Sequence, residues 1–253
     1  MENNSFLENA FIGTTAGIIE TVLLQPMLYW KNAMQQNIKF TLNPFFLYRG
    51  INASIINMSV LTGMQIPLTE KFKSYLPVKM SEQKKLIHAS FYSGVISGLV
   101  CAPMELIMIQ QQLTGHNMKK TVSRIGYKNL MRGLVTSCGR EGIYAVGYLG
   151  LGPYCSYLIK KKYNTGNTIS NLYGSIIASV ISATLSHPLD TVKTCMQGDI
   201  KQIKYSTITK TTINLFKDKG FSRFFDGYEW RTSRMILSFF ILIESKSRIS
   251  SLL

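Results

Sequence analysis

The chain has 253 residues, 46% of them hydrophobic, with a formal net charge of +15 and a mean hydropathy of +0.10. The positive charge is dispersed, without zinc-ligand spacing, a basic arm or an aromatic RNA-binding platform, so nucleic acid is not an expected partner. The sequence also offers no nucleophile–base pair, phosphate loop or metal cluster, so neither an enzyme nor a bound cofactor is expected.

The apolar residues fall in six blocks, roughly 8–35, 51–75, 85–112, 133–160, 170–197 and 228–247. Each is long enough to cross a bilayer as a helix. Each also carries Lys, Arg, Glu or Gln well inside it. A charged side chain in hydrocarbon costs about 2.5–3.5 kcal/mol, so these groups should face a protein-lined or watery interior. That pattern points to a transporter or pore rather than an anchor. Cys101, Cys138, Cys155 and Cys195 lie in different spans and are expected as reduced thiols. Met1 to Asn9 lacks the basic region of a secretory signal and the Arg-rich pattern of a transit peptide, so no cleaved presequence is expected.

The first span holds Gln25-Pro26, then Lys31 five after the proline and Gln35 nine after it. Leu28 occupies the position two after it. The third span holds Pro103, Glu105, Met108 and Gln112 at the same offsets, and the fifth holds Pro188, Asp190, Lys193 and Gln197. Each proline removes a backbone donor and is expected to kink its helix. The prolines are 77 and 85 residues apart, which marks a three-unit repeat. Upstream, Gly13, Gly17 and Thr21 match Ser90, Gly94 and Gly98, and Ser175, Ser179 and Ala183. Small residues every four positions let a neighbouring backbone approach closely. The even spans follow Gly50, Gly133 and Gly227, and seven residues beyond each stand Asn57, Arg140 and Arg234.

On these motifs the chain resembles the mitochondrial carrier family over nearly its whole length. The resemblance implies an all-α membrane protein of six transmembrane helices. They would form three pseudo-symmetric repeats, 1–80, 81–165 and 166–253, around a central cavity. It implies a monomer in the mitochondrial inner membrane, working by alternating access. In the family, the acid of one odd helix pairs with the base of the next to close the matrix gate. Here that sets Glu105 against Lys193, Asp190 against Lys31, and Leu28 against Met108. The two missing charges are thus partners of each other, which spares the fold an unpaired buried charge. On that pairing, exchanging Glu105 for lysine and Lys193 for glutamate should recover activity that either single change loses. Gln35, Gln112 and Gln197 would brace the pairs. Gly50, Gly133 and Gly227 mark helix starts where the family holds cardiolipin phosphates, a use of the positive helix N-terminus.

The outer gate matches less well. Glu70 and Lys73 survive, with Thr69 where the family has an aromatic. The second site offers Pro153 and Tyr154, and near the third Glu244 and Arg248 fall out of pattern. A weakly closing outer gate, and hence an outward-open preference, is the expectation. On the signature side, Gln35 to Gly50 leaves little room for a surface helix, whereas Thr207 to Asp218 reads as amphipathic.

The substrate-binding candidates are Asn57, Arg140, Glu141, Tyr144 and Arg234. Two arginines at equivalent depths make a clamp for phosphate or carboxylate, unless Glu141 and Glu229 tie them up. Tyr144 could stack on a base, and Ile143 to Tyr148 is similar to a stretch of adenine nucleotide carriers. Exchange of nucleotides or deoxynucleotides is the first expectation for this small anionic solute. Arg140 followed by Glu141 is more like carriers of amino acids or S-adenosylmethionine. A non-transporting protein on the same scaffold is the third alternative.

Overall fold

Prolines do not end the three odd spans. Helix α1 (Phe6–Gln35), α4 (Glu82–Thr114) and α8 (Asn167–Gly198) each run through their proline for another nine or more residues. At 1.5 Å per residue they reach about 45 Å, beyond the hydrocarbon core of a bilayer. All three are long and apolar enough to cross a membrane. The computed structural model describes residues 6–249.

Between them run α3 (Ile51–Tyr75), α6 (Leu134–Ala145) continuing through a π-helical turn at Val146–Leu151 into α7 (Gly152–Tyr163), and α10 (Tyr228–Ile249). Six long helical runs result. Each packs on the next in chain order, and α10 packs back on α1, closing a ring. Short helices lie on the signature side: α2 (Pro44–Leu47), α5 (Met118–Ile125) and α9 (Ile208–Lys219). The first is a single turn, as the short segment allows. Trp30 pins this segment, donating from Nε1 to the Thr41 carbonyl at 2.9 Å and stacking on Phe40.

Polarity is reversed relative to a water-soluble domain. Glu20, Gln65, Ser93, Ser97 and Ser179 are buried inside the ring, while Val22, Leu23, Val100, Val180 and Leu185 are exposed on its outside. Such a surface suits lipid, and the polar interior suits an aqueous path. Close helix approach depends on the small-residue stripe. A Cβ on Gly13 would collide with the Thr62 carbonyl of α3, and Thr62 Oγ1 donates to the Gly13 carbonyl at 2.6 Å. The cysteines are unbridged.

Gly50, Gly133 and Gly227 precede α3, α6 and α10 with φ of 79°, 77° and 79°, a left-handed turn that suits glycine. Each also lies against the next odd helix in the ring. A Cβ on Gly50 would sit 3.2 Å from the Met108 carbonyl, one on Gly133 3.5 Å from Lys193 Cγ, and one on Gly227 3.1 Å from the Lys31 carbonyl. Gly227→Ala should therefore lower stability by about 1–2 kcal/mol from the backbone alone, read as a drop in thermal midpoint in detergent.

Arginines reinforce the same joints. Arg132 donates to the carbonyls of Met196, Tyr205 and Ser206, near the end of α8, and Arg223 to the Gln35 carbonyl that ends α1. A cation there satisfies free carbonyls and the helix dipole. Just beyond α8, Asp199 accepts from the backbone N–H of Ile203, Lys204 and Tyr205 at 3.2, 2.7 and 2.8 Å. Burial pushes its carboxyl up, but these three donors together hold it below the usual carboxylate range. A lowered folded value means the turn is anchored above about pH 4 and released as pH falls through the folded pKa. Hydrogen exchange at residues 203–205 should show protection lost below that point, and Asp199→Asn should remove the pH dependence.

Candidate functional site

The proline motifs bring their charged residues together at the signature-side end of the ring. Lys31 Nζ lies 2.9 Å from Asp190 Oδ2, and Lys193 Nζ lies 3.2 Å from Glu105 Oε1. All four are buried. Lys193 also approaches Asp190 Oδ1, at 3.5 Å. Leu28 packs on the apolar cluster that holds Met108. Two of the three slots around the ring therefore hold ion pairs, and the third holds two apolar side chains of one cluster.

The glutamines act less uniformly than their spacing implies. Gln35 braces one pair, donating to Asp190 Oδ2 at 3.0 Å and to Thr191 Oγ1. Gln112 instead accepts from Asn32 Nδ2 at 2.6 Å, beside the slot that has no ions. Gln197 donates to the Arg132 carbonyl at 3.2 Å. The expectation of three equivalent braces is corrected: the partner is set by what each helix end meets across the ring.

Above this layer is a cavity of about 60 Å³, room for a few waters. Asn57, Arg140, Glu141, Tyr144 and Arg234 all line it, with Glu20, Arg231 and the gate residues. The two arginines are not a free clamp. Arg140 Nη2 donates to both Glu105 Oε1 and Glu141 Oε1, and its Nε lies 3.5 Å from Asp190 Oδ1. Arg234 Nη1 donates to Glu20 Oε1 at 2.6 Å, so its partner is Glu20 on α1 rather than Glu229. Tyr144 is not poised to stack on a solute. Its ring meets Phe239 edge-on and its hydroxyl bonds Ser238 Oγ at 2.6 Å.

Glu20 and Arg231 escaped the sequence reading. Glu20 is an acid deep within the first apolar block, and that alone marks it for a buried partner. Arg231 lies one helical turn from Arg234, donates to Ser186 Oγ at 2.7 Å and brings Nη1 to 3.6 Å from Asp190 Oδ2. Its Nη1, Glu141 Oε2 and Asn57 Oδ1 are buried without a hydrogen-bond partner.

The outer half is closed by uncharged groups. Ile66, Tyr148, Phe239 and Leu242 fill it as part of one buried cluster. Tyr148 donates to Gln65 Oε1 at 2.8 Å, Gln65 donates to Ser97 Oγ at 2.9 Å, and Thr69 bonds Ser93 at 2.7 Å. An apolar cluster thus occupies the half where the resemblance implies an ionic gate. Glu70 is exposed, and the ion pair on Lys73 is with Glu82 at 3.2 Å. Glu244 accepts from Thr168 and Asn171 on α8. The Arg248 side chain lies outside the described residues.

The model of the family described as mitochondrial carrier protein matches residues 164–253. Similarity extends further in individual relatives. A mitochondrial glycine transporter of Saccharomyces cerevisiae (strain YJM789) is 23% identical over 289 residues, covering 93% of this chain and 92% of the relative. A mitochondrial 2-oxodicarboxylate carrier of Pongo abelii is 22% identical over 250 residues, covering 85% and 84%.

The chain is similar to mitochondrial carriers along most of its length.

Its ring of helices with a polar interior is the fold of a helical membrane carrier, and the carrier is a protein of the mitochondrial inner membrane. A mitochondrial glycine transporter of Laccaria bicolor is 30% identical over 122 residues, 47% of the carrier and 39% of that relative. These relatives are named as transporters and carriers rather than as enzymes.

Proposed function

We propose that the carrier moves a small amino-acid-like solute across the inner membrane by alternating access, using three repeats at 1–80, 81–165 and 166–253. The observation that carries this reading is two cavity-lining residues with a buried atom that makes no hydrogen bond, although Arg231 Nη1 also stands 3.6 Å from Asp190 Oδ2. Glu141 Oε2 offers an acceptor suited to an ammonium, and Arg231 Nη1 a donor suited to a carboxylate. Around them, the carboxylates Glu105, Glu141 and Asp190 face the cations Lys31, Lys193, Arg140 and Arg231, with Glu20 and Arg234 paired to each other. Cations exceed acids by one, which favours a solute bearing a carboxylate. The named relatives' solutes, glycine and 2-oxodicarboxylate, both carry that group. A stacking platform, which a nucleotide would use, is not supported by the position of Tyr144.

Lys31–Asp190, Lys193–Glu105 and the Leu28–Met108 contact form the matrix gate in this reading, and the Tyr148–Gln65 layer forms the outer one. Cardiolipin would sit at the starts of α3, α6 and α10, beside Gly50, Gly133 and Gly227. Reconstitution into liposomes tests the function. Uptake of labelled glycine or another small amino acid, with nucleotides inert, is the expected result. Nucleotide-dependent exchange without amino-acid uptake would restore the nucleotide reading, and no uptake of any solute would favour a non-transporting protein.

A further inference from the structure

The gate has lost one charged pair at Leu28 and Met108, yet it is not short of charged links. Arg140 lies on α6, in the cavity register seven residues beyond Gly133, and its Nη2 reaches down to Glu105 Oε1. That oxygen is the one Lys193 holds at 3.2 Å, and Glu105 Oε2 is satisfied by Ser137 Oγ at 3.0 Å. Arg140 Nη2 also holds Glu141 Oε1, and Arg140 Nε approaches Asp190 Oδ1. One guanidinium therefore touches the carboxylates of two gate helices, α4 and α8, from within the solute cavity.

We propose that Arg140 is the third cation of the matrix gate, standing in for Met108, and that a solute carboxylate loosens the gate by drawing Arg140 away from Glu105. The second half rests on the proposed carboxylate-bearing solute. The first half does not. Arginine suits this shared position because its fork presents several donors at once, and the surrounding carboxylates keep it in place while no solute is bound. Gate and solute would then compete for one side chain, so closure and binding are linked by mass action.

The experiment replaces the native cysteines, introduces Ser54→Cys in the cavity wall, and measures its modification by an impermeant maleimide applied from the matrix side of proteoliposomes. Arg140→Met should raise the labelling rate about tenfold or more without solute, as expected for losing a charge-assisted hydrogen bond. Adding Leu28→Glu with Met108→Lys should bring labelling back near the parent rate while uptake stays lost. Unchanged labelling in Arg140→Met, or no restoration by the added pair, overturns the gate role. If Arg140→Met fails to fold, Arg140→Lys is read instead. It keeps the charge without the fork, and labelling should rise about threefold; a rate equal to the parent overturns the proposal. In the parent, glycine should raise labelling and methylamine, which lacks the carboxylate, should not. If neither acts while the substitution arm holds, the gate role stands and the solute reading falls.

Discussion

Exchanging Glu105 for lysine and Lys193 for glutamate should leave the carrier as inactive as either single change. An isolated ion pair would survive the swap, but this one is embedded. Glu105→Lys sets an ammonium against Arg140, and Lys193→Glu sets a carboxylate beside Asp190, which Lys193 approaches at 3.5 Å. Each single change breaks a buried ion pair and sets like charges side by side, a loss of about 3–5 kcal/mol, so uptake should fall at least about a hundredfold. The double variant creates two like-charge contacts in place of one restored pair. Uptake by reconstituted protein is the measurement. Recovery of the double variant to near the parent rate would mean that Glu105 and Lys193 act alone.

Glu20 and Arg234 should behave in the opposite way. Their 2.6 Å contact joins α1 to α10, with Glu20 fully buried. Glu20→Gln alone leaves a guanidinium, and Arg234→Met alone leaves a carboxylate, each short of a counter-ion in a buried site. Each should cost about 3–5 kcal/mol of stability, and the double variant much less, because replacing both ions by neutral groups removes the unpaired charge. Thermal unfolding in detergent reads this directly. Uptake separates two roles for Arg234. If the pair only ties helices together, the double variant transports; if Arg234 also holds solute, its stability returns and its transport does not.

The periodic features were legible in the sequence. Three prolines at fixed offsets from an acid, a base and a glutamine define three equivalent helix ends, and the resemblance supplies the order in which they meet. The Lys31–Asp190 and Lys193–Glu105 contacts follow from that alone. What was not legible depends on side chains from different helices competing for one partner. Gln197 has the same spacing as Gln35, yet the Arg132 carbonyl lies within its reach and takes its amide. Arg140 was read as a solute ligand because its depth in the helix is visible in the sequence, whereas its reach to Glu105 is set by how closely Gly94 and Gly98 let α6 approach α4. The π-helical turn at Val146–Leu151 has no sequence period of its own. Its Gly147 admits the Phe239 ring, which would meet a Cβ at 2.6 Å. Counting charged motifs also overlooks the buried cluster of Ile66, Tyr148, Phe239 and Leu242.

The joint between Gly227 and Lys31 has a consequence for how the protein is made. Arg223 reaches Gln35 across 188 residues of sequence, and Arg234 reaches Glu20 across 214. The first helix therefore emerges from the ribosome with an acid, Glu20, whose counter-ion has not been synthesised. Until α10 packs on α1, Glu20 lacks its contact with Arg234. Packing α10 on α1 joins residues far apart in the sequence, so it carries a large loop-closure entropy. Chains interrupted before residue 234 should persist as open arcs, vulnerable to quality-control proteases at the edge where α1 and α10 would have met.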